Sequence, residues 1–303
     1  MKPAAFDYHR PDTLAEAAEI LGRLGDDAKV LAGGQSLVPM LAMRLTHFEN
    51  LVDISRVEEL CGIDPVDGAV RVGSTTSHAL VGLDDEVADS VPLLTLATPH
   101  IGHFQIRSRG TLGGAIAHAD PAAEYAAVAL ALDAEMEATS TRGTRVIPAA
   151  DFFTGLWENS LAGDEILRAV RFPVWHGRCG FAVEEFARRH GDFAIAGAVV
   201  AVELDATDRV QRCGIGLLGL GSTPLRGSAA ETAVLGRSAG ELDEDALDEI
   251  GRVAMDAIDD IPADLQGSAA YRAQVGSAMV ARALGNALAA AITETSSTRT
   301  EGT

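Results

Sequence analysis

The sequence predicts an α+β protein of two domains, and three observations favour this fold class. The chain has 303 residues, of which 47% are hydrophobic, which is enough for two buried cores. Short apolar runs alternate with helical periodicity as far as residue 175. Longer strand-like runs follow. We therefore expect a first domain over residues 1–175, with subdomains of about 1–57 and 58–175, then a smaller α+β domain over 176–292 and a polar, disordered tail over 293–303.

The first subdomain is predicted to contain a helix followed by a strand–loop–helix–strand unit. Helical spacing of apolar residues covers positions 12–24, where Thr13 and Glu16 have the spacing of a capping box and Gly25 is a stop signal. Strands are expected at 29–32 and 50–54, with a helix at 37–45 between them. The glycine pair Gly33-Gly34 falls at the turn after the first of these strands.

The second subdomain begins with a predicted strand at 70–74 and a helix at 90–97. A glycine-containing stretch, 107–119, leads to Asp120, which is expected to cap a helix whose first residue is Pro121. The body of that helix, 122–132, is apolar nearly all round, which predicts a buried helix. Residues 135–139 and 145–147 then form a predicted hairpin with its turn at Arg142-Gly143.

The C-terminal domain is predicted to have two strands, at 196–204 and 213–220, and helices at 229–235, 243–258 and 271–292. The run 241–260 is strongly acidic. Its acids interleave with apolar residues at core spacing, which indicates a solvated helix face rather than a metal site.

The charge balance excludes two classes of function. The chain has 24 Lys and Arg against 44 Asp and Glu, a formal net charge of −20. A general nucleic-acid binder needs a basic face to neutralise phosphates, and adhesion to an anionic membrane needs basic residues as well. We therefore expect a solvated acidic surface and no nucleic-acid partner.

The cysteines and the N-terminal residues indicate the cellular compartment of the protein. Cys61, Cys179 and Cys213 lie far apart without a CxxC spacing, which argues against a disulfide framework and for a reducing compartment. An iron–sulfur cluster takes four thiolates, so we expect none on this chain. The first residues lack the apolar core of a signal peptide, and we find no run of about 18 apolar residues. The expectation is a soluble cytoplasmic protein without membrane insertion.

Two glycine pairs are the main candidates for a binding site. Gly33-Gly34-Gln35-Ser36 lies between a predicted strand and helix, where backbone amides can approach a diphosphate closely. Thr111-Leu112-Gly113-Gly114-Ala115 also precedes a predicted helical segment, and Arg107 and Arg109 before it either add charge complementarity or are structural. Each pair alone fits a tight connection. Together they make one shared, phosphate-rich ligand as plausible as two structural turns.

Three further motifs carry less weight. Residues 214–219 match G-x-G-x-x-G, but they lie within a strand-like run and no helix follows, so we reject a Rossmann site. Residues 34–38 miss the G-x-S-x-G nucleophile elbow because valine replaces the last glycine. His100 and His103 lack a nearby Cys or carboxylate to complete a metal set, which favours a packing or hydrogen-bonding role.

The two glycine motifs, taken together, resemble the paired flavin motifs of one family. They are Ala32-Gly33-Gly34-Gln35-Ser36-Leu37 and Thr111-Leu112-Gly113-Gly114, the latter extended through Ala117-His118-Ala119-Asp120-Pro121. Residues 6–11, 165–167, 171–173, 188–194, 219–224 and 271–272 match in order as well, to about Leu288. The family is the FAD-binding medium subunit of molybdenum hydroxylases, such as aerobic-type carbon monoxide dehydrogenase, xanthine dehydrogenase-like enzymes and N-heterocycle dehydrogenases.

The resemblance implies a fold and a site. The fold is a two-subdomain FAD-binding domain of the vanillyl-alcohol-oxidase type, over 1–175, followed by the C-terminal α+β domain of the flavoprotein subunit. Residues 32–37 would cradle the pyrophosphate, Asp120 or Glu124 would reach the adenosine ribose, and Phe193 would lie near the isoalloxazine ring. The full implied FAD-binding set is Ala32, Gly33, Gly34, Gln35, Ser36, Leu37, Thr111, Gly113, Gly114, Ala117, Asp120, Glu124, Ile166, Leu167 and Phe193, with no catalytic or metal-ligating residue. Ala115 departs from the family, where Asn or Asp is common, so a polar contact to the flavin is missing or supplied elsewhere.

The function implied by the resemblance is electron transfer. Substrate would be oxidised at a molybdenum cofactor in a large subunit, and electrons would pass through two [2Fe–2S] clusters of a small subunit to this FAD and on to a terminal acceptor. The expected assembly is a dimer of heterotrimers. Two alternatives stay open: a self-contained FAD-dependent oxidase, and a non-catalytic assembly subunit that has lost FAD.

Overall fold

The computed structural model describes residues 2–298, with side chains to residue 293. Its first unit contains β1 (Asp7–His9), α1 (Leu14–Leu24), β2 (Ala28–Leu31), α2 (Leu37–Met43) and β3 (Asn50–Asp53). The strands form a parallel sheet in the order β1-β3-β2. Because β2 ends at Leu31, the first glycine pair lies at the carboxyl edge of this sheet, where ligands of open parallel sheets commonly bind.

Helix α1 shows why the sequence prediction held in this unit. The Thr13 side chain accepts a hydrogen bond from the Glu16 amide at 3.2 Å, as a capping residue should. The Glu16 carboxylate accepts from the amide of Asp12 at 3.0 Å, one residue earlier than in a capping box. Leu14 and Leu21 are buried in the core of this unit, so the predicted helix and its apolar face are confirmed.

The second unit is an antiparallel sheet with helices inserted between its strands. Its elements are β4 (Ile63–Val66), β5 (Ala69–Gly73), α3 (His78–Val81), α4 (Asp85–Ser90), α5 (Pro92–Ala97), α6 (Phe104–Arg107), α7 (Leu112–His118), α8 (Glu124–Ala131), β6 (Glu135–Ser140), β7 (Gly143–Pro148), α9 (Ala149–Phe152), β8 (Phe153–Gly155), β9 (Glu158–Asn159) and β10 (Ile166–Pro173). The sheet order is β4-β5-β10-β6-β7, and β8 pairs with β9 alone. The predicted hairpin is confirmed as β6 and β7.

Three predictions in this unit are corrected by the structure. Asp120 does not cap a helix: α8 begins at Glu124, and Asp120 Oδ1 instead accepts from the Ala122 amide at 2.8 Å within a turn. The second glycine pair does not precede a helix but forms the first turn of α7. The helix expected at 90–97 is α5, which begins two residues later because the backbone of Val91 is not helical and Pro92 is its first residue; α4, which ends at Ser90, was not predicted. The predicted burial of α8 is confirmed on all sides.

The C-terminal unit is an antiparallel sheet covered by helices. Its elements are β11 (Arg178–Phe186), β12 (Ala196–Leu204), β13 (Val210–Leu218), β14 (Leu225–Arg226), α10 (Ser228–Val234), α11 (Glu244–Asp256) and α12 (Ala269–Thr298). The strands lie in chain order, and α12 packs across β11 and β12 with α11 beside it. The strand β11 was missed because Gly180 and the adjacent Glu184 and Glu185 interrupt its apolar residues. The acidic residues of α11 face solvent while Ile250 is buried, as predicted, and Met255 is buried as well.

The glycines of residues 214–219 serve packing, which confirms that this motif is not a Rossmann loop. Gly214 and Gly216 lie within β13. A Cβ on either would overlap a backbone carbonyl oxygen of α8, that of Ala131 or of Ala127. The two glycines therefore let the C-terminal sheet approach α8 of the second unit.

The C-terminal sheet shares a core with the second unit. Val199 and Leu218 pack with the buried residues of α8 and α5, whereas Val200 and Ile215 face the opposite core under α12. The expected boundary at 175/176 thus lies between two sheets but not between two separate cores.

Helix α12 is longer than predicted. It is long and apolar enough to cross a membrane by length and composition, but half of its most apolar window is buried inside the protein against the sheet. It continues through residues 293–298, where the tail was expected to begin, and residues 299–303 lie outside the described residues.

Candidate functional site

The fold brings the two glycine motifs into direct contact. A Cβ on Gly33 would overlap the carbonyl oxygen of Arg109 and lie 2.8 Å from the Cα of Gly110. Ala32 Cβ lies in van der Waals range of the position that a Cβ on Gly114 would take. The loop of residues 32–37 (the first loop) and that of residues 109–115 (the second loop) therefore form one continuous surface, although 77 positions separate their starts.

The first loop presents backbone donors without a protein partner. Within residues 2–298, the amides of Gly33, Gly34, Gln35 and Ser36 donate no hydrogen bond to another protein group. Gly34 has a φ of +72°, which L side chains rarely adopt, and the Gln35 side chain donates to Gly33 O at 3.1 Å, which braces the turn. Successive free amides at a glycine turn form a ready site for an anion.

The second loop is built differently, because its amides are engaged. The amide of Gly113 donates to Ser74 O at 3.0 Å, and that of Gly114 donates to Thr111 Oγ1 at 3.0 Å. A Cβ on Gly113 would lie 2.7 Å from Ser74 O, so this glycine permits close packing. The second loop thus supplies a rigid wall beside the first loop rather than a second set of free amides.

A buried polar stack supports that wall, and sequence reasoning missed it. The amide of His78 donates to Gly110 O at 2.9 Å, and the His78 ring stacks on Tyr125 with centroids 5.1 Å apart. The Tyr125 hydroxyl lies 2.6 Å from Thr98 Oγ1. Burial lowers the pKa of His78 to about 4, so the imidazole is neutral at physiological pH. No motif signals this stack, because its members come from three separate elements.

The two arginines flanking the second loop have different roles. Arg107 donates from Nη1 to Ile101 O at 3.1 Å and to Gly102 O at 2.8 Å, so it is structural. Arg109 is exposed, and its side chain forms no hydrogen bond or ion pair with the residues described. Of the two arginines, Arg109 is therefore the cation available for a phosphate beside the first loop.

Acidic and aromatic side chains follow the glycine loops. Trp157 stacks on His118 with ring centroids 6.4 Å apart and donates from Nε1 to Asp120 Oδ2 at 3.3 Å. Burial raises the pKa of Glu124 to about 8, and the nearby carboxylate of Glu185 adds to the rise. Burial lowers the pKa of His118, although Asp120 opposes this.

Phe193 belongs to the loop of residues 187–194 (the third loop), which packs against the turn before α6. A Cβ on Gly191 would lie 2.8 Å from the His103 ring. Phe193 is 63% exposed, so its ring presents an apolar surface to solvent. Arg272 anchors the end of this loop by donating to Ile195 O at 2.5 Å and to Gly219 O at 3.0 Å.

Other residues implied by the resemblance lie as follows. Ile166 is buried in the core of the first unit and Leu167 in that of the second, so their contact with a cofactor stays a prediction. Ala117 and Ala115 are partly buried on α7, and Ala117 O accepts from Asn159 Nδ2 at 2.7 Å. Within residues 2–298, no group of three or more His, Cys, Asp or Glu could hold a metal, His100 and His103 included.

The raised pKa of Glu124 predicts a pH-dependent stability of the cofactor-free chain. The folded protein keeps a proton that the unfolded chain releases above about pH 4.5, so the free energy of unfolding should fall as the pH rises to about 8. Glu124→Gln removes this part of the decline. We expect the variant to gain about 3 kcal/mol relative to wild type between pH 5.5 and 8.5, measured by urea unfolding. Asp248→Asn, on the exposed face of α11, should follow the wild type, and an identical decline in Glu124→Gln would contradict the prediction.

The loops define the class of site. Free amides and an unpaired arginine at one end, with acids and aromatic rings further along, suit an extended cofactor that contains a diphosphate. Residues 4–175 match the FAD binding domain in molybdopterin dehydrogenase, and residues 181–287 match the CO dehydrogenase flavoprotein C-terminal domain. The chain therefore belongs to the FAD-binding medium subunits of molybdenum hydroxylases, an oxidoreductase family with FAD as the cofactor of this subunit.

Two known relatives and a solved structure match this chain over nearly its full length. The chain is 41% identical to the 6-hydroxypseudooxynicotine dehydrogenase complex subunit alpha of Paenarthrobacter nicotinovorans, covering 95% of this chain and 96% of that one. It is 40% identical to caffeine dehydrogenase subunit beta of Pseudomonas sp. (strain CBB1), with the same coverage. Its fold matches a chain of carbon monoxide dehydrogenase from Hydrogenophaga pseudoflava with a TM-score of 0.91 and 36% identity, covering 96% of this chain and 99% of that one. These matches confirm the predicted fold class.

Proposed function

We propose that this chain is the electron-transfer subunit of a molybdenum hydroxylase, which takes electrons from [2Fe–2S] clusters of a small subunit and passes them to a terminal acceptor. The observation that carries the proposal is the first loop, where four backbone amides with no partner in the described part of the chain lie against the second glycine loop. A self-contained oxidase would also need side chains that act on its own substrate. An assembly subunit that has lost FAD would not need this pair of glycine loops.

The residues present fit FAD, and their chemistry divides the site into regions. The amides of residues 33–36 and the Arg109 guanidinium would hold the diphosphate, because both donate hydrogen bonds to anionic oxygens. Asp120 or Glu124 would accept hydrogen bonds from the adenosine ribose. Phe193 would lie against the isoalloxazine ring, since it offers a flat apolar surface to solvent.

Bound FAD accepts electrons singly or in pairs, which suits exchange with one-electron iron–sulfur centres. The chain itself binds and orients the cofactor. The engaged amides of the second loop and the neutral His78 behind it keep this wall rigid, and no catalytic acid or base is proposed on this chain.

The partners and compartment follow from the same proposal. The large subunit would hold molybdopterin and select the substrate, and two heterotrimers would associate as a heterohexamer in the cytoplasm. The relatives act in complexes named for different compounds, 6-hydroxypseudooxynicotine and caffeine among them, so this chain does not decide the substrate.

The test compares the isolated chain with the reconstituted complex. The purified chain, incubated with FAD, should carry about one FAD that acid releases unchanged. Electrons supplied to the iron–sulfur subunit should reduce this FAD only when both subunits are present, as followed by stopped-flow absorbance. Oxidation of a purine, aldehyde or N-heterocycle by the FAD-loaded chain alone would support the self-contained oxidase instead. A folded chain that binds no FAD would support an assembly subunit.

A further inference from the structure

One buried carboxyl group near the third loop has no role in the scheme above. Strand β11 directs Phe181 and Val183 toward the core that it shares with the second unit, and Glu185 is the next side chain in that row. The Glu185 side chain is only 5% exposed. An acid at this depth needs a polar partner, because burial of an unpaired polar group costs free energy.

Glu185 lacks such a partner in the protein. Its Oε2 is buried and forms no hydrogen bond with the described residues, and His100 Nδ1, at 3.6 Å, is too distant for one. The other oxygen, Oε1, also has no hydrogen-bond partner among residues 2–298 but is not fully buried, so it keeps some exposed surface. A ligand atom can therefore reach Glu185 from the side of Oε1.

The groups around Glu185 indicate which kind of ligand atom fits. His100 approaches Glu185 from the turn after α5, and Glu124 approaches it from the start of α8. His190 of the third loop lies near His100, and Asp120 lies near Glu124. Glu184 points to the opposite face of β11, where it accepts from Asn286 Nδ2 at 2.8 Å. The carboxyls disfavour a phosphate here. Burial raises the pKa of Glu185 to about 7, so about half of this carboxyl group is protonated at neutral pH and most of it at pH 6. Burial lowers the pKa of His100, so its imidazole is largely neutral at neutral pH.

We propose that the neutral carboxyl group of Glu185 donates a hydrogen bond to an acceptor atom of the isoalloxazine ring and so fixes the ring end of FAD. The inference rests on the placement of FAD in the proposed function. It assigns the ring rather than the adenine because Glu185 and the third loop, which carries the exposed Phe193, lie against the same turn of residues 100–103. A Cβ on Gly191 would lie 2.8 Å from the His103 ring, and Glu185 Oε2 lies 3.6 Å from His100 Nδ1.

The test is the pH dependence of FAD affinity in the cofactor-free full chain, followed by quenching of flavin fluorescence. If Glu185 must be protonated to donate, wild-type affinity should fall about tenfold between pH 6 and 8.5. Glu185→Gln keeps a donor that does not titrate, so its affinity at pH 6 should stay within about threefold of wild type and should fall much less. Glu184→Gln, one residue along on the opposite face, should follow the wild type. Because Glu185 also contributes to the raised pKa of Glu124, the comparison is repeated with Glu124→Gln in all three proteins, where the remaining difference isolates Glu185.

Two smaller ligands, FMN and ADP, each contain one end of FAD and show which end contacts Glu185. The Glu185-dependent loss should appear with FMN and be absent with ADP, and the reverse would overturn the assignment to the ring. An equal fall in wild type and Glu185→Gln, or a rise in wild-type affinity with pH, would overturn the hydrogen bond itself while leaving the proposed function intact. Failure of folded wild-type protein to bind FAD at any pH would overturn both.

Discussion

Gly33→Ala is expected to lower the affinity for FAD at least about hundredfold, a loss of about 2.7 kcal/mol of binding free energy. The added methyl group would overlap Arg109 O and lie 2.8 Å from Gly110 Cα. Both atoms belong to the backbone, so neither can move aside as a flexible side chain would. The two loops must separate, and the free amides of residues 33–36 lose the alignment that a diphosphate requires.

The same substitution should cost about 1–3 kcal/mol of folding stability, since overpacking forces backbone shifts. Isothermal titration with FAD and urea unfolding measure the two effects separately. Gly240→Ala is the matched control: the nearest atom to its new methyl group is 3.9 Å away, and its φ is not positive. Near wild-type FAD affinity in Gly33→Ala would show that contact between the loops is not needed for binding.

Arg272→Met is expected to destabilise the chain by about 3 kcal/mol. The arginine is 5% exposed and donates to two carbonyl oxygens, of Ile195 and Gly219, from elements that are 24 positions apart. Methionine fills much of the volume but leaves both oxygens without this donor, and hydrogen bonds to a charged group contribute about 1.5–3 kcal/mol each. Because Ile195 ends the third loop, Phe193 should also lose its fixed position.

Two measurements separate these effects. Urea unfolding reports the stability, and the absorption spectrum of bound FAD reports the surroundings of its ring. Arg252→Met is the control, because Arg252 is exposed on α11 and pairs only with exposed Glu249, so we expect a change within about 0.5 kcal/mol. A loss below 1 kcal/mol in Arg272→Met, with an unchanged spectrum, would be evidence against this anchoring role.

Local patterns predicted the elements whose stabilising contacts are themselves local. Helix α1 was recognisable because its cap and its apolar face lie within a dozen residues, and the β6–β7 hairpin because its turn joins adjacent strands. The helix over α8 was identified by its uniform apolarity, but its start was placed three residues too early, at Pro121 instead of Glu124. An Asp before Pro is equally typical of a helix cap and of a turn. In the folded chain Asp120 forms a turn, and its carboxylate is held there by contacts with Trp157 and His118.

The sequence by itself determined the fold class, the two glycine motifs and, through its resemblance to one family, the cofactor. These depend on residue types and on spacing along the chain. Only the tertiary structure decided that Gly33 touches Gly110, that the amides of the first loop are free while those of the second are engaged, and that Arg107 is structural while Arg109 is not. It also placed His78, Arg272 and Glu185 beside the site. In each case, packing brings a distant backbone group or side chain within about 3–4 Å. No local pattern in the sequence specifies which group that is.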